Sequence, residues 1–175
     1  MRQIILASGS PRRKEMIKAL FGDNFKVHVS KYEENNNCDL MPIDVAKKHA
    51  LGKARDVAKH YKSGIVIAGD VFVVFNNEIL GKPKDEQDAF LMLKKQQGKQ
   101  TQVISGLVVI DIDNKKEYIE TEITNLQMAE LTDKEILRYI KTGDPMDKAG
   151  SFGMRPGGGA ILVEKVVGCY SNVVG

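Results

Sequence analysis

The chain has 175 residues, a length that predicts one compact domain over residues 1–175 and excludes a multidomain scaffold. Its 26 basic and 23 acidic residues give a net charge of +3, too balanced for a protein that mainly coats nucleic acid. Tryptophan is absent and aromatic residues make up only 6%, too few for a base-stacking surface. No uninterrupted apolar run is long enough to span a membrane, and Cys38 and Cys169 belong to no C-x-x-C motif. We therefore expect a cytoplasmic protein with reduced thiols and with neither nucleic-acid nor membrane partners.

The hydrophobic pattern predicts strands and helices that alternate along the chain. Pro11 suits the first turn of a helix, and Thr132 with Glu135 forms a capping-box pattern that opens another. Asn76 and Asn77 suit the turn of a hairpin. In chain order the predicted elements are a strand over residues 4–7, helices over 11–22 and 42–64, strands over 65–75 and 78–80, a helix over 85–97, strands over 102–110 and 118–128, a helix over 132–143, and strands over 160–166 and 170–174.

The segment of residues 8–13, SGSPRR, joins the first predicted strand to the first predicted helix. Free backbone N–H groups and the helix dipole favour an anion at such a junction. The hydroxyls of Ser8 and Ser10 add donors, and the guanidinium groups of Arg12 and Arg13 can hold phosphate oxygens in bidentate fashion. The segment matches neither the Walker A loop nor G-x-G-x-x-G. It predicts either a phosphate-binding loop or a capped helix start with two solvated arginines.

Asp70 is the only charged residue in the apolar run of residues 65–75. Burying a carboxylate in such a run is costly unless it is paired or bound to a metal ion. It also follows what reads as a buried strand, the place where α/β folds bind their ligands. Asp70 is therefore the best single candidate for chemistry: it could bind a divalent cation, accept a proton from water, or do both. The simpler interpretation is an aspartate that caps a bend.

Two lysines are weaker candidates when each is taken alone. Lys53 lies close to the apolar face of the second predicted helix, so its stem could carry the ammonium group toward a binding site, or the side chain could be solvated. Lys82 lies between Gly81 and Pro83, where a stiff backbone could hold its charge against a phosphate or leave it in solvent.

Other segments leave functional and structural interpretations open. Residues 144–150 alternate in charge beside a glycine-rich loop, which suits either the close approach of a ligand or a plain turn. Glu33 and Glu34 lie in a polar loop, and their role depends on what they face. His49 and His60 are eleven residues apart, about 16 Å along a helix, so they do not predict a zinc site.

Taken in order, these segments resemble the Maf (septum-formation-inhibitor-like) family of nucleoside triphosphate pyrophosphatases. The resemblance implies a mixed, twisted α/β sheet with flanking helices, forming two lobes around a central cleft. It also implies a divalent metal cation, Mg²⁺ or Mn²⁺, and a homodimer that hydrolyses a nucleotide to the monophosphate and pyrophosphate. The motifs that carry it are LASGSPRR (residues 6–13), GDV (69–71), ILGKPKD (79–85), VISG (103–106), DPMDKAG (144–150) and NVVG (172–175).

The same resemblance implies roles for individual residues. Asp70 matches the family's proton acceptor, and Glu33 and Asp70 match its metal contacts. The residues that match substrate contacts are Ser8, Ser10, Arg12, Arg13, Lys53, Lys82 and Lys148.

Base specificity is expected to depend on Arg12, Val71 and Arg155. Val71 stands where the family commonly has threonine, and Arg155 stands where it has glutamine. The S-x-S-P-R-R form is similar to the branch that acts on dTTP and UTP rather than on 7-methyl-GTP. The alternative, motivated by these substitutions, is a nucleotide-binding regulator of septum formation without enzymatic activity. Relatives continue beyond the position of Gly175, so we expect the family's C-terminal helix to be missing.

Overall fold

The computed structural model of the chain describes residues 2–35, 40–154 and 159–175, and its central element is a β-sheet. The strands are β1 (Ile4–Leu6), β2 (Phe25–Val27), β3 (Ile65–Phe75), β4 (Glu78–Leu80), β5 (Gln100–Asp111), β6 (Lys116–Met128) and β7 (Val163–Val167). They follow the order β2-β1-β3-β5-β6-β7, and β4 pairs with β3 beside this path. β1 is parallel to β2 and β3, whereas β4 and β7 are antiparallel to their neighbours. The predicted mixed α/β sheet is therefore confirmed.

Helices occur between the strands where the sequence signals predict them. Pro11 occupies the first turn of the first helix, and the capping box of Thr132 and Glu135 is formed, with each side chain accepting from the other residue's backbone N–H. The α-helices are α1 (Pro11–Phe21), α2 (Pro42–Ala58), α3 (Glu86–Gln96), α4 (Asp133–Ile140) and α5 (Tyr170–Val174), and short 3₁₀ helices cover Asp144–Asp147, Ala149–Ser151 and Gly159–Leu162. Within the described ranges, no helix has the length and apolar character needed to cross a membrane.

The described residues group into two compact units. The first contains those within Met1–Val71 and Ser105–Thr121, together with Gly175. Its core forms where the small residues of α2 meet β1, β3 and β5, because alanine side chains allow a helix to approach a sheet closely. That a single domain spans residues 1–175 stays a prediction. The buried core residues of this unit are Ile5, Ala7, Ala50, Ala54, Val57, Val66, Ala68, Val108 and Ile110.

The second unit contains the described residues within Phe72–Ile104 and Glu122–Val174. Asn76 and Asn77, with φ of 50° and 64°, form the predicted turn between β3 and β4. Gln96 on α3 is fully buried, and its amide donates to the Gly150 carbonyl at 2.9 Å. This hydrogen bond links α3 to the 3₁₀ helix Ala149–Ser151.

The helix predicted over residues 42–64 ends at Ala58, and two predicted strands are also wrong. Residues 170–174 form the helix α5 rather than a strand. The prediction failed because a segment of five residues is too short to distinguish a helical period from a strand period. Gly168, at φ 128°, turns the backbone after β7, and the Asn172 amide of α5 then donates to the carbonyl of Val103 at 3.1 Å. The strand predicted from residue 160 begins only at Val163, and β2 was missed because it is three residues long and mostly exposed.

Gly106 in β5 permits the close approach of α2. A Cβ at this position would lie 2.5 Å from the carbonyl oxygen of Ala46 and 2.9 Å from the backbone nitrogen of Lys47. Helix backbone cannot give way as a flexible side chain can, so we expect Gly106→Ala to lower the free energy of unfolding by about 1–3 kcal/mol, measured by urea denaturation. Gly81→Ala is the matched control, since no atom of the described neighbours lies within 4 Å of its Cβ. Equal effects of the two substitutions would contradict the interpretation.

Candidate active site

The segment SGSPRR connects β1 to α1, as its sequence predicts. Ser8 is buried, and its Oγ accepts from the backbone N–H of Ser10 at 3.2 Å. Ser10 is the N-cap residue of α1, yet its side chain makes no capping hydrogen bond within the described structure. Arg12 is half-buried in the first turn. A buried serine, a helix start and two arginines thus lie together at one end of β1, as an anion-binding loop requires.

Arg13 brings a partly buried positive charge from this loop to β3. Its Nη1 donates to the carbonyl oxygen of Gly69 at 2.7 Å and lies 3.5 Å from Ser8 Oγ. Burial lowers the pKa of the Arg13 guanidinium, and the negative charge of Asp70 opposes that shift. Arg13 is therefore held one residue away from the candidate catalytic carboxylate.

Asp70 lies in β3 with only 7% of its surface exposed, and each of its carboxylate oxygens has a partner from α2. Lys53 Nζ donates to Oδ1 at 2.8 Å, and His49 Nδ1 lies 3.2 Å from Oδ2. Lys53 and His49 are four residues apart, so they share one face of the helix. The negative charge of Asp70 is thus compensated, which lowers the free-energy cost of burying its carboxylate.

Glu34, rather than Glu33, is the loop carboxylate that joins Asp70. Glu34 Oε1 lies 2.6 Å from Lys53 Nζ, so one ammonium group bridges two carboxylates. Partial burial raises the pKa of the Glu34 carboxyl, but the hydrogen bond and charge of Lys53, with the charges of His49 and Arg13, outweigh it and lower the pKa overall. Glu33 is exposed. The polar loop has no periodicity from which the sequence could distinguish the two glutamates.

The chain's own donors form one group that could hold a metal ion among the described residues. Glu34, His49 and Asp70 each contribute one ligand atom, and these atoms lie within 4.8 Å of one another. Two carboxylates and an imidazole suit a divalent cation. His49 was not predicted as a site residue, because its distance from His60 along a helix does not suit a shared zinc ion. The spacing to Lys53 would have placed His49 on the face that carries the lysine.

Lys148 lies in the second unit, where acidic groups of its own segment surround its ammonium group. Nζ donates to the carbonyl oxygen of Asp144 at 2.6 Å, to Asp144 Oδ1 at 2.8 Å and to Asp147 Oδ1 at 2.7 Å. The Tyr139 hydroxyl donates to Asp144 Oδ2 at 2.6 Å, and burial, reinforced by this hydrogen bond, raises the pKa of Tyr139. The three ammonium protons therefore have acceptors, and a substrate contact would have to replace one of them.

The remaining predicted residues are divided between the units. Val71 follows Asp70 in β3 and is half-buried, whereas Lys82 is exposed just after β4. Arg155 lies outside the described residues. The functional roles of all these residues stay predictions. Those in the first unit are Ser8, Ser10, Arg12, Arg13, Glu33, Lys53, Asp70 and Val71, and those in the second are Lys82 and Lys148.

Comparisons with known proteins agree with the motifs. A family model described as Maf-like protein matches residues 3–175. A protein of Methanosarcina mazei named dTTP/UTP pyrophosphatase is 50% identical over 175 residues, which cover 100% of this chain and 88% of the relative. One of the same name from Ruminiclostridium cellulolyticum is 45% identical over 176 residues, which cover 100% of this chain and 90% of the relative.

A solved structure is similar in fold. The structure of a HAM1 protein from Coxiella burnetii matches with a TM-score of 0.55 at 15% identity, covering 75% of each chain. At this identity the likeness concerns the fold alone.

Lys53→Met tests the energetic coupling between Lys53 and Asp70. Removing the ammonium group leaves a buried carboxylate short of one partner, so we expect the free energy of unfolding to fall by roughly 2–4 kcal/mol. In a double-mutant cycle with Asp70→Asn, urea denaturation should give a coupling of at least about 1 kcal/mol.

The control for this cycle is Lys47→Met on the same helix. Lys47 Nζ lies 3.5 Å from Asp44 Oδ1, and both side chains are nearly half exposed to solvent. Such a pair contributes less than about 0.5 kcal/mol. A Lys53 to Asp70 coupling as small as that of this control would contradict the description of the site.

Proposed function

The chain belongs to the Maf-like family, and from this premise we propose that it is a nucleoside triphosphate pyrophosphatase acting on dTTP or UTP. Relatives that are 50% and 45% identical over the whole chain and carry that name support both the activity and the base. The structural observation that carries the proposal is the buried carboxylate of Asp70 beside the charges of Lys53 and Arg13. Hydrolysis of a polyphosphate needs a base and nearby positive charge in this arrangement.

Asp70 acts as the proton acceptor. Each carboxylate oxygen has two lone pairs, so the hydrogen bonds with Lys53 and His49 leave room for one from a water molecule. As the water oxygen bonds to the α-phosphorus, its proton passes to Asp70. The bond from the α-phosphorus to the bridging oxygen breaks, and pyrophosphate leaves with the electron pair. No covalent intermediate with the protein is required.

The cations of the first unit stabilise the charge that develops on the leaving group. A triphosphate carries about four negative charges, so a nearly neutral protein must gather its cations at the site. Arg13 is held in place by the Gly69 carbonyl, and Lys53 by two carboxylates, so both are ordered before the substrate arrives. This preorganisation avoids a reorganisation cost in the transition state. Ser8, Ser10 and Arg12 complete the proposed substrate contacts of the first unit. In the second unit, Lys82 and Lys148 are the substrate contacts that the family resemblance implies.

We propose a divalent cation, Mg²⁺ or Mn²⁺, as the cofactor. Carboxylate oxygens are the ligands that these ions prefer, and the pair of Asp70 and Glu34 fits them. The match to the family also leaves Glu33 as a candidate contact. When bound, such an ion polarises phosphoryl oxygens as a Lewis acid.

The finer properties are proposals that rest on the family and on the sequence. Arg12, Val71 and Arg155 set the preference for the base. The protein acts as a cytoplasmic homodimer, in keeping with the family and with the free thiol of Cys169. The curated relatives carry the names of enzymes, so they give no support to the alternative of a regulator without enzymatic activity.

Asp70→Asn tests the catalytic assignment. The amide cannot accept the proton of the attacking water, so we expect kcat for pyrophosphate release from dTTP to fall at least about 100-fold while circular dichroism shows the fold retained. Asp44→Asn, which alters an exposed carboxylate, is the control and should keep full activity. Undiminished release by Asp70→Asn would refute the assignment.

The choice of base is tested with a substrate panel of dTTP, UTP, CTP and 7-methyl-GTP, each with Mg²⁺ and with Mn²⁺. We expect kcat/KM for dTTP and UTP to exceed that for 7-methyl-GTP at least about tenfold, since a pocket rejects a base whose polar groups it cannot pair. Faster hydrolysis of 7-methyl-GTP would contradict the proposed base. Tight nucleotide binding without pyrophosphate release from any substrate would favour the regulator.

A further inference from the structure

His49 is a buried polar residue with a partner at each ring nitrogen. Its side chain is fully buried on α2, outside the six motifs that carry the family resemblance. Nδ1 lies 3.2 Å from Asp70 Oδ2, and Nε2 lies 3.3 Å from the carbonyl oxygen of Asn35. The ring of Tyr32 packs against it edge-on, with centroids 5.8 Å apart. Its orientation is therefore fixed from several sides.

The contact to Asn35 determines what Nδ1 can do. A carbonyl oxygen only accepts, so Nε2 carries a proton and donates it to Asn35. Histidines that bind metal ions nearly always donate their second ring N–H to a carbonyl or carboxylate in this manner, which fixes the tautomer. Nδ1 then faces the carboxylate of Asp70, where a proton makes the hydrogen bond in the absence of an ion and where a metal ion would take the place of that proton. Two electron-pair donors at 3.2 Å are stable only with a proton or a metal ion between them.

The separation of the two atoms also fits a common ion. Neighbouring ligands of one small divalent ion lie about 3 Å apart. Nδ1 and Oδ2 are 3.2 Å apart, and Glu34 supplies a third ligand atom within 4.8 Å of both. The Glu34 side chain is 45% exposed on a loop, so it can move the remaining distance.

We propose that His49 is a metal ligand, and that with Asp70 and Glu34 it forms a mixed nitrogen and oxygen site selective for Mn²⁺ and Co²⁺ over Mg²⁺. The inference rests on the proposed function, which calls for a divalent cation. Imidazole nitrogen suits transition metals, whereas Mg²⁺ prefers oxygen ligands and retains its waters. The histidine thus turns a site of two carboxylates into one that discriminates between ions.

Lys53 competes with a metal ion for the negative charges of Glu34 and Asp70. Its ammonium group bridges Glu34 and Asp70, so a positive charge already compensates the two carboxylates. A metal ion that binds there must share the two carboxylates with the ammonium group or displace it. Only an ion that gains further binding free energy from another ligand can do so. The nitrogen of His49 provides that attraction for Mn²⁺ and Co²⁺.

The test measures binding of Mn²⁺, Co²⁺ and Mg²⁺ to the chelator-treated full chain by isothermal titration calorimetry, without nucleotide. His49→Leu should weaken Mn²⁺ and Co²⁺ binding at least about tenfold and change Mg²⁺ binding by no more than about twofold. Glu34→Gln, at an exposed position, should weaken all three ions. Unchanged Mn²⁺ and Co²⁺ binding in a folded His49→Leu protein would overturn the proposal. An equal loss for Mg²⁺ would overturn it too, because His49 would then only orient Asp70.

His60→Gln is the matched control, because the His60 ring packs on His28, with centroids 5.1 Å apart, and lies outside the proposed group. Its affinities should equal those of the wild type. If His49→Leu does not fold, pulsed electron paramagnetic resonance of Mn²⁺ bound to His60→Gln decides instead. Nitrogen modulation from a coordinated imidazole supports the proposal, and its absence overturns it. Neither readout involves catalysis, so absent pyrophosphatase activity would count against the proposed function alone.

Discussion

The ion pair between Asp70 and Lys53 is the interaction on which the rest of the site depends. A carboxylate in the middle of an apolar strand would be costly to bury alone, and the 2.8 Å contact to Lys53 compensates its charge. The same ammonium group reaches Glu34 and thereby draws the loop carboxylate to the strand. One lysine thus holds Glu34 and Asp70 together, and His49 on the same helix face contacts the second oxygen of Asp70.

This arrangement depends on the packing of α2 against the sheet through small residues. Alanines at positions 46, 50 and 54 are fully buried, and their small side chains bring the helix axis near β3 and β5. Gly106 in β5 has no side chain that would clash with the backbone of α2 at Ala46 and Lys47. The distance from Lys53 Nζ to Asp70 is therefore a result of packing by small residues that carry no chemistry.

Much of this could be predicted from the sequence, because the strong signals are local. A lone aspartate in an apolar strand and a serine-arginine loop before a helix identify Asp70 and Arg13 without any structure. Glu34 could not be distinguished from Glu33, since its role depends on which groups the folded chain brings opposite it. For His49 the sequence does hold a signal, its four-residue spacing from Lys53. The helix α5 was missed for a related reason: its five residues satisfy helix and strand patterns equally, and the turn at Gly168 with the Asn172 contacts decides between them.

The ammonium group of Lys148 is held by three oxygen atoms, and this restricts which residues can occupy position 153. A Cβ on Gly153 would lie 2.6 Å from Cδ of the Lys148 side chain, and the lysine cannot retreat while three oxygens hold its head. A side chain at position 153 therefore requires the stem of Lys148 to shift, which would disturb the hydrogen bonds of its ammonium group. Over evolutionary time the two sites should be inherited as a pair, a constraint imposed by volume and not by chemistry.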